Sequence, residues 1–463
     1  MYVRQGQHAV VIGAGIAGLL AARVLSDHYA HVTVLERDDL VQTEAPRAGV
    51  PQGHHVHGLL ARGAAIFEEF FPGLRQDLRQ AGAPLGDFGD TVAFRFPEGW
   101  SPRTTLGISL QTFTRPLLES RLHHRVASLP TVTFRPGTSV VGLTGSATRV
   151  TGIRTRPRLG TAPHEYIVDA DLVVDASGRS SRMPEWLQAL GLPRPRETVI
   201  DAHLGYATRI YKIPEQVYCP WNAATEPLQP PTTTRGFMAT LIEQDRLLVT
   251  LQGAAGDHPP HDPDGFDAFV STLRSPLADF LSRLTPDSPI HRYARCANRR
   301  VDYHRIRPWP DGLLAIGDAV CAFNPLYGQG MTVAGIEAQL LQHILATEHD
   351  TAPRWCADLQ HRFAHCTRWP WLMSTLADRN WQPHPDFTAR TANVFLSSLQ
   401  RAIPDNPELL RRFASVMHML TGPHSLLHPY VVRRTATAAV LPLMRSRRAT
   451  TTPPRGENSR LRW

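Results

Sequence analysis

Gly13-Ala14-Gly15-Ile16-Ala17-Gly18 has the spacing with which a polypeptide backbone closes on a pyrophosphate. Gly13 allows a tight turn, Gly15 lets the backbone approach the anion, and Gly18 lets a helix lie close to a sheet. The neighbouring residues supply the elements this needs. Val10-Val11-Ile12 reads as a strand, Ile16, Leu20 and Val24 share one helical face, and Val32-Thr33-Val34-Leu35 reads as a second strand. The helix N-terminus aims unpaired N–H groups and partial positive charge at the anion. Glu36, with Arg37 beside it, closes the second strand, where a carboxylate accepts ribose hydroxyls and repels a 2′-phosphate. A glycine-rich turn in an ordinary α/β protein has no need of Glu36 there, so the stretch predicts a bound dinucleotide.

Further candidates follow in order. Glu44 to His57 is a Gly/Pro loop carrying Arg47, His54, His55 and His57, and it leads into an apolar-periodic helix with Leu59, Leu60, Ile66, Phe67 and Phe70. Thr114 is placed to cap a helix with Pro116 in its first turn. Strands are expected at 132–134, 139–143 and 150–154, and a buried strand, Ala170 to Asp175, ends in the turn Ala176-Ser177-Gly178-Arg179. From about residue 195 alternating strands (205–211, 237–242, 246–252) flank a Pro/Thr-rich loop from Pro220 to Arg235, as in an antiparallel sheet. Gly312 to Asp318 resumes the parallel type, before a glycine loop and a helix from Thr332 to Leu345. Beyond residue 353 the pattern is helical, with a frayed tail from Thr450. The reading is thus α/β: a Rossmann-like dinucleotide-binding domain (1–190 and 296–350), an inserted antiparallel substrate domain (191–295) and a C-terminal helical region (351–463).

A chain of 463 residues calls for more than one lobe. The net charge of +8 is carried by scattered arginines, Lys212 being the single lysine, which argues against a nucleic-acid partner. The five cysteines form no C-x-x-C pair, which speaks against a disulfide framework and a zinc site and for a cytoplasmic setting. No apolar run is long enough to span a bilayer. Leu426 to Met444, apolar and flanked by arginines, is expected to pack on the nucleotide lobe rather than touch a membrane, with Pro429 and Pro442 interrupting it.

Three ordered segments resemble the flavoprotein monooxygenases of the para-hydroxybenzoate hydroxylase superfamily: Gly13 to Gly18 with Glu36; Asp175-Ala176-Ser177-Gly178-Arg179; and Gly317-Asp318-Ala319 with Asn324-Pro325-Leu326-Tyr327-Gly328-Gln329-Gly330-Met331. Arg47-Ala48-Gly49-Val50 and Arg115 match arginine positions of that superfamily. Pro51 to Leu60 is similar to a loop of flavin-dependent epoxidases from polyether and related natural-product pathways. The resemblance implies FAD as cofactor, NADPH or NADH as transient reductant and O2 as cosubstrate, acting through a flavin C4a-hydroperoxide. It places Asp318 on the ribityl chain, Gly328, Gly330 and Met331 at a helix start facing the flavin, and Arg47 and Arg115 on the diphosphate and ribityl side.

Epoxidation of an apolar olefin in secondary metabolism is the reaction expected, on a small molecule that arrives free or on a carrier protein. Aromatic hydroxylation is the alternative, and a flavin-binding protein without oxygenase activity is the rival of another class. His57 and Pro325 are the residues expected beside the chemistry. No second G-x-G-x-x-G suggests a separate nicotinamide domain, and a lone Lys212 is poor support for a halogenase. The aromatics of the helical region (Trp355, Phe363, Trp369, Trp371, Trp381, Phe387) read as core or as a pocket wall.

Overall fold

A computed structural model describes residues 6–39, 46–47, 49–158, 165–347 and 354–445 of the chain. Ala48 of the arginine-loop match and the tail from Thr450 lie outside the described residues. The opening unit is β1 (Gly6–Ile12), α1 (Ile16–Leu25) and β2 (Tyr29–Leu35). The loop that follows holds a short 3-10 turn, Pro51–His54, and runs into α2 (Ala61–Phe70). Then come β3 (Val92–Phe96), α3 (Arg115–Ala127), β4 (Val132–Arg135) and β5 (Leu172–Asp175). A second group comprises β6 (Gly205–Lys212), β7 (Ala223–Glu226), β8 (Arg235–Ile242), β9 (Arg246–Gly253) and β10 (His291–Tyr293). The chain then returns through β11 (Leu313–Ala315) and α4 (Gly330–Thr347) to five helices: α5 (Trp355–Cys366), α6 (Arg368–Arg379), α7 (Phe387–Ala402), α8 (Pro407–Met417) and α9 (Pro429–Arg445).

The parallel sheet has the order β11-β5-β1-β2-β4. Val10, Val11, Val173, Val174 and Leu313 are fully buried in it, because α1 and its neighbouring helices cover it while a three-stranded antiparallel sheet (138–145, 150–157 and 166–169) packs against β5 and β2. The ends of β1, β5 and β11 therefore meet at one edge, as Ile12 pairs with Asp175 and Asp175 with Ala315. Thr114 caps α3 by accepting from the Leu117 N–H, with Pro116 in the first turn.

The second sheet runs β6-β9-β8-β7-β3, with β10 against the free side of β6. Its register sorts its two faces. Ala207, Leu251, Phe237, Val249 and Ala224 point to a core closed by short helices at 263–271 and 277–281. Tyr206, Thr208, Gln252, Thr250, Met238 and Tyr293 point the other way.

Three expectations are corrected. The strand order does not respect a boundary at residue 190: β3 pairs parallel with β7 and belongs to the second sheet, because Val92 and Phe94 join an apolar cluster with α7 and α8. The Pro220–Arg235 stretch contains a buried strand, β7. Pro429 starts α9 rather than interrupting it, and the segment from Leu426 packs with α7, α8 and β3 instead of on the nucleotide lobe. Among the described residues no helix is long and apolar enough to cross a membrane.

Candidate functional site

The glycine turn shows which of its residues the fold itself requires. Gly13 has φ +100°, and a Cβ on Gly18 would stand 1.9 Å from the Gly13 carbonyl oxygen. Gly15 is different: its backbone is ordinary and a Cβ there would meet nothing within 4 Å. Nothing among the described residues explains that glycine, whereas the close approach of a pyrophosphate does. Ala14 donates its N–H to Glu36 Oε2 (2.9 Å), while Ile16 is buried in the core. Arg37 is exposed at the end of β2.

The third segment abuts the first. A methyl on Gly317 would lie 2.7 Å from the Ala17 Cβ, and Asp318 follows at the tip of β11, half-buried. A Cβ on Gly330, the first residue of α4, would lie 3.6 Å from an Asp318 carboxylate oxygen. The segments that carry Gly15 and Asp318 thus abut at one edge of the parallel sheet. Burial pushes the Asp318 carboxyl up, against the pull of Arg179, Arg115 and Arg299. Gly328 adopts the left-handed conformation (φ +63°) at the end of the turn Pro325–Tyr327. It faces Gly58, another glycine with ordinary backbone and open space at its Cβ position. The donors of the α4 N-terminus and two spaces held open by glycine fit a flavin dinucleotide. Met331 itself is buried in the core.

The arginines form a chain with two carboxylates. Arg47 bridges Glu36 (3.1 Å) and Glu119 (3.2 Å), and Glu119 also takes Arg115 Nε (2.7 Å). Burial alone would discharge both Arg47 and Glu119, but the opposite charges outweigh it, raising the arginine and lowering the carboxyl. Arg47 therefore lies on the Glu36 side of that sheet edge. Arg115 lies near both His57 and Asp318, with its terminal nitrogens making no other hydrogen bond among the described residues.

Asp175 is fully buried and accepts from Ser177 and Ser181, fixing the turn Ala176-Ser177-Gly178. Arg179 then donates to the carbonyls of Ala297 (2.7 Å) and Phe323 (2.6 Å), tying the second segment to the third.

The histidine loop lies on the polar face of the second sheet. His57 turns back on its own loop, its Nδ1 2.9 Å from the His55 carbonyl oxygen, and burial, then Arg115, lowers its pKa to about 4. His54 stacks on His291 at 3.7 Å. His55 enters the face: its Nδ1 lies 2.6 Å from Thr208 Oγ1, and the ring sits between Tyr206 and Tyr293. Burial, with His57 and His54 nearby, lowers its pKa to about 3. A cavity of about 220 Å³ opens beside Thr208, lined also by His54, His291, Thr114 and Leu248.

Sequence reasoning singled out His57 and did not separate His55 from its neighbours. It missed Tyr206, Gln252 and Asp378 altogether. Asp378 on α6 accepts from Asn298 (2.7 Å), Asn324 (2.9 Å) and Tyr327 (2.9 Å), so it holds the turn that carries Pro325. Burial raises its carboxyl to about 6. The only early sign of Tyr206 and Thr208 was their spacing of two within a strand. Of the C-terminal aromatics, Phe363 and Trp371 are core, Trp381 packs beside Tyr206 and Leu326, and Trp369 and Phe387 are exposed.

The FAD binding domain family matches residues 7–369. The chain belongs to this family, as an FAD-dependent monooxygenase. FAD is its cofactor, with the NAD(P)H and O2 typical of the family. It is 34% identical to Protein Rv3254 of Mycobacterium tuberculosis, over 88% of this chain and 89% of that one. It is 26% identical to kynurenine 3-monooxygenase of Salinispora arenicola, over 96% and 99% of the two chains. Among solved structures, flavin-dependent brominase Bmp2 superposes with a TM-score of 0.65 at 16% identity, covering 96% of this chain and 100% of that one. At that identity the likeness is one of fold.

Proposed function

We propose that the chain hydroxylates an aromatic substrate that carries a polar group, the ring lying against the face of Tyr206, Thr208, Thr250 and Gln252. One observation carries this reading. Three polar atoms on or against that face, Tyr206 Oη, Gln252 Oε1 and His55 Nε2, are buried without a hydrogen-bond partner among the described residues. Unpartnered buried polar atoms are costly, and a polar substrate relieves that cost where an olefin cannot. The kynurenine 3-monooxygenase likeness supports the same reading.

In this reaction one atom of O2 enters a ring C–H bond as hydroxyl. The other leaves as water, with a hydride (two electrons and a proton) from NAD(P)H and one further proton from solvent. The bound flavin supplies the oxygen chemistry. The chain's own residues orient the ring, Leu326 and Trp381 shield it from water, and the α4 N-terminus offers its N–H groups to the flavin.

Epoxidation of an olefin is the second reading, supported by the apolar wall of Leu204, Leu228, Leu326 and Trp381. Halogenation has no such support. Lys212 is exposed at the far end of β6, about 20 Å of strand from Tyr206. The five free cysteines suit a cytoplasmic setting.

The test is FAD-loaded protein with NADPH or NADH under ¹⁸O2, offered phenols, anilines and alkenes in parallel. Label in a ring hydroxyl is expected. Label found only in an epoxide would replace hydroxylation by epoxidation, and hydrogen peroxide without labelled product would end the oxygenase account.

A further inference from the structure

The hydrogen bonds around His55 fix which of its ring nitrogens carries the proton. Val56 donates its N–H to Thr250 Oγ1 (3.1 Å), and Thr250 Oγ1 lies 2.7 Å from Thr208 Oγ1, which lies 2.6 Å from His55 Nδ1. Only one arrangement gives each hydroxyl hydrogen an acceptor within this set. Thr250 donates to Thr208, and Thr208 donates to His55 Nδ1. The reverse order leaves the Thr250 hydrogen without an acceptor in this set. Neutral His55 must then hold its proton on Nε2. Burial, which lowers the ring's pKa to about 3, keeps it neutral at pH 7.

Nε2–H points away from Thr208 and has no acceptor among the described residues, although His55 is only 2% exposed. Tyr206 and Gln252, both 5% exposed, likewise keep unpartnered atoms on the same face. They are opposed in the β6–β9 register, and the ring of Tyr206 lies 5.9 Å from that of His55. The fold has therefore oriented a donor, buried it, and left it without an acceptor.

We propose that His55 is the specificity residue of this site: its Nε2–H donates to an oxygen borne by the aromatic substrate, and the Thr250–Thr208 pair keeps that donor in place. This rests on the aromatic reading given above. It assigns the substrate an acceptor oxygen, such as a phenol or aryl carbonyl, and gives Thr208 a positioning role at one remove.

Phenol and toluene test it, being nearly the same size with and without the oxygen. Their binding to the FAD-loaded enzyme is read from the perturbation of flavin absorbance. Wild type is expected to bind phenol at least about tenfold more tightly, the worth of one buried hydrogen bond. His55→Leu removes the preference and His55→Gln keeps part of it. Thr208→Val weakens it and Thr208→Ser restores it, a pair that decides the matter even where His55→Leu fails to fold. Equal binding of the two probes by wild type, failure to bind either, or an undiminished preference in both His55→Leu and Thr208→Val overturns the proposal. The reaction is scored separately with labelled oxygen. A preference that vanishes with His55 while no ring is hydroxylated keeps the donor and discards the hydroxylase reading. Hydroxylation with the preference intact in the variants does the opposite.

Discussion

Replacing Gly15 by alanine separates what the cofactor asks of the turn from what the fold asks of it. Gly15 has φ −76° and ψ −178°, which any residue adopts, and a Cβ there touches no protein atom within 4 Å. Alanine takes freedom from the unfolded chain, stabilising by about 0.4–1 kcal/mol, but it is a poorer helix N-cap than glycine by a similar amount. The apo-protein should therefore melt within about 2 °C of wild type. The cofactor-bound state should not. With FAD at about a hundred times its Kd, wild type gains about 2.7 kcal/mol, and a methyl that weakens binding about a hundredfold cuts that gain to about 0.4 kcal/mol. Gly18→Ala is the contrast: its Cβ would sit 1.9 Å from a backbone oxygen, so apo and loaded protein alike should lose about 3 kcal/mol. Thermal melts of both variants with and without FAD, together with FAD titration by fluorescence quenching, check this. A Gly15→Ala protein that binds FAD like wild type, or melts as early as Gly18→Ala without it, refutes the argument.

Glu337 is fully buried, accepts the Gly317 N–H at 2.7 Å, and has its carboxyl pushed by burial to about 8. A carboxyl raised in the folded state favours folding at low pH, and that contribution is lost as pH rises from its ordinary value, about 4.5, through about 8. Glu337→Gln should therefore melt close to wild type at pH 5 and increasingly above it toward pH 8; a constant difference across that range would contradict the assignment. Asp378→Asn sets an amide N–H against the donors Asn298, Asn324 and Tyr327. It should cost about 2 kcal/mol and speed hydrogen exchange over residues 324–328, and unchanged exchange there would show that something else holds the turn. Arg47→Ala leaves Glu36 without its counter-charge and should cost about 3 kcal/mol by urea denaturation, a loss below about 1 kcal/mol arguing that the pair is solvated. Lys212→Ala should leave turnover unchanged, with no halogenated product in bromide or chloride, and a loss of activity would reopen the halogenase reading.

The sequence by itself settled what depends on near neighbours. The turn from Gly13 to Gly18, the cap at Thr114 and the strand alternation over 205–211, 237–242 and 246–252 follow from backbone freedom, short hydrogen bonds and a side-chain period of two. The grouping of the three segments came instead from their resemblance to the flavoprotein monooxygenases.

Tertiary structure decided what depends on distant partners. Three histidines within four positions have the same chemistry on paper; only the docking of their loop on β6 and β9 sends His55 inward to Thr208 and folds His57 back on itself. Tyr206 and Gln252 become one surface because the register sets them opposite each other across 46 positions of chain. Asp378 gathers Asn298, Asn324 and Tyr327 from segments that share no local pattern. Val92 and Phe94 leave the lobe that contains their neighbours because α7 and α8 cover them elsewhere. Local steric and hydrogen-bond rules reach only a few residues along the chain, whereas burial is settled by whichever surfaces finally meet.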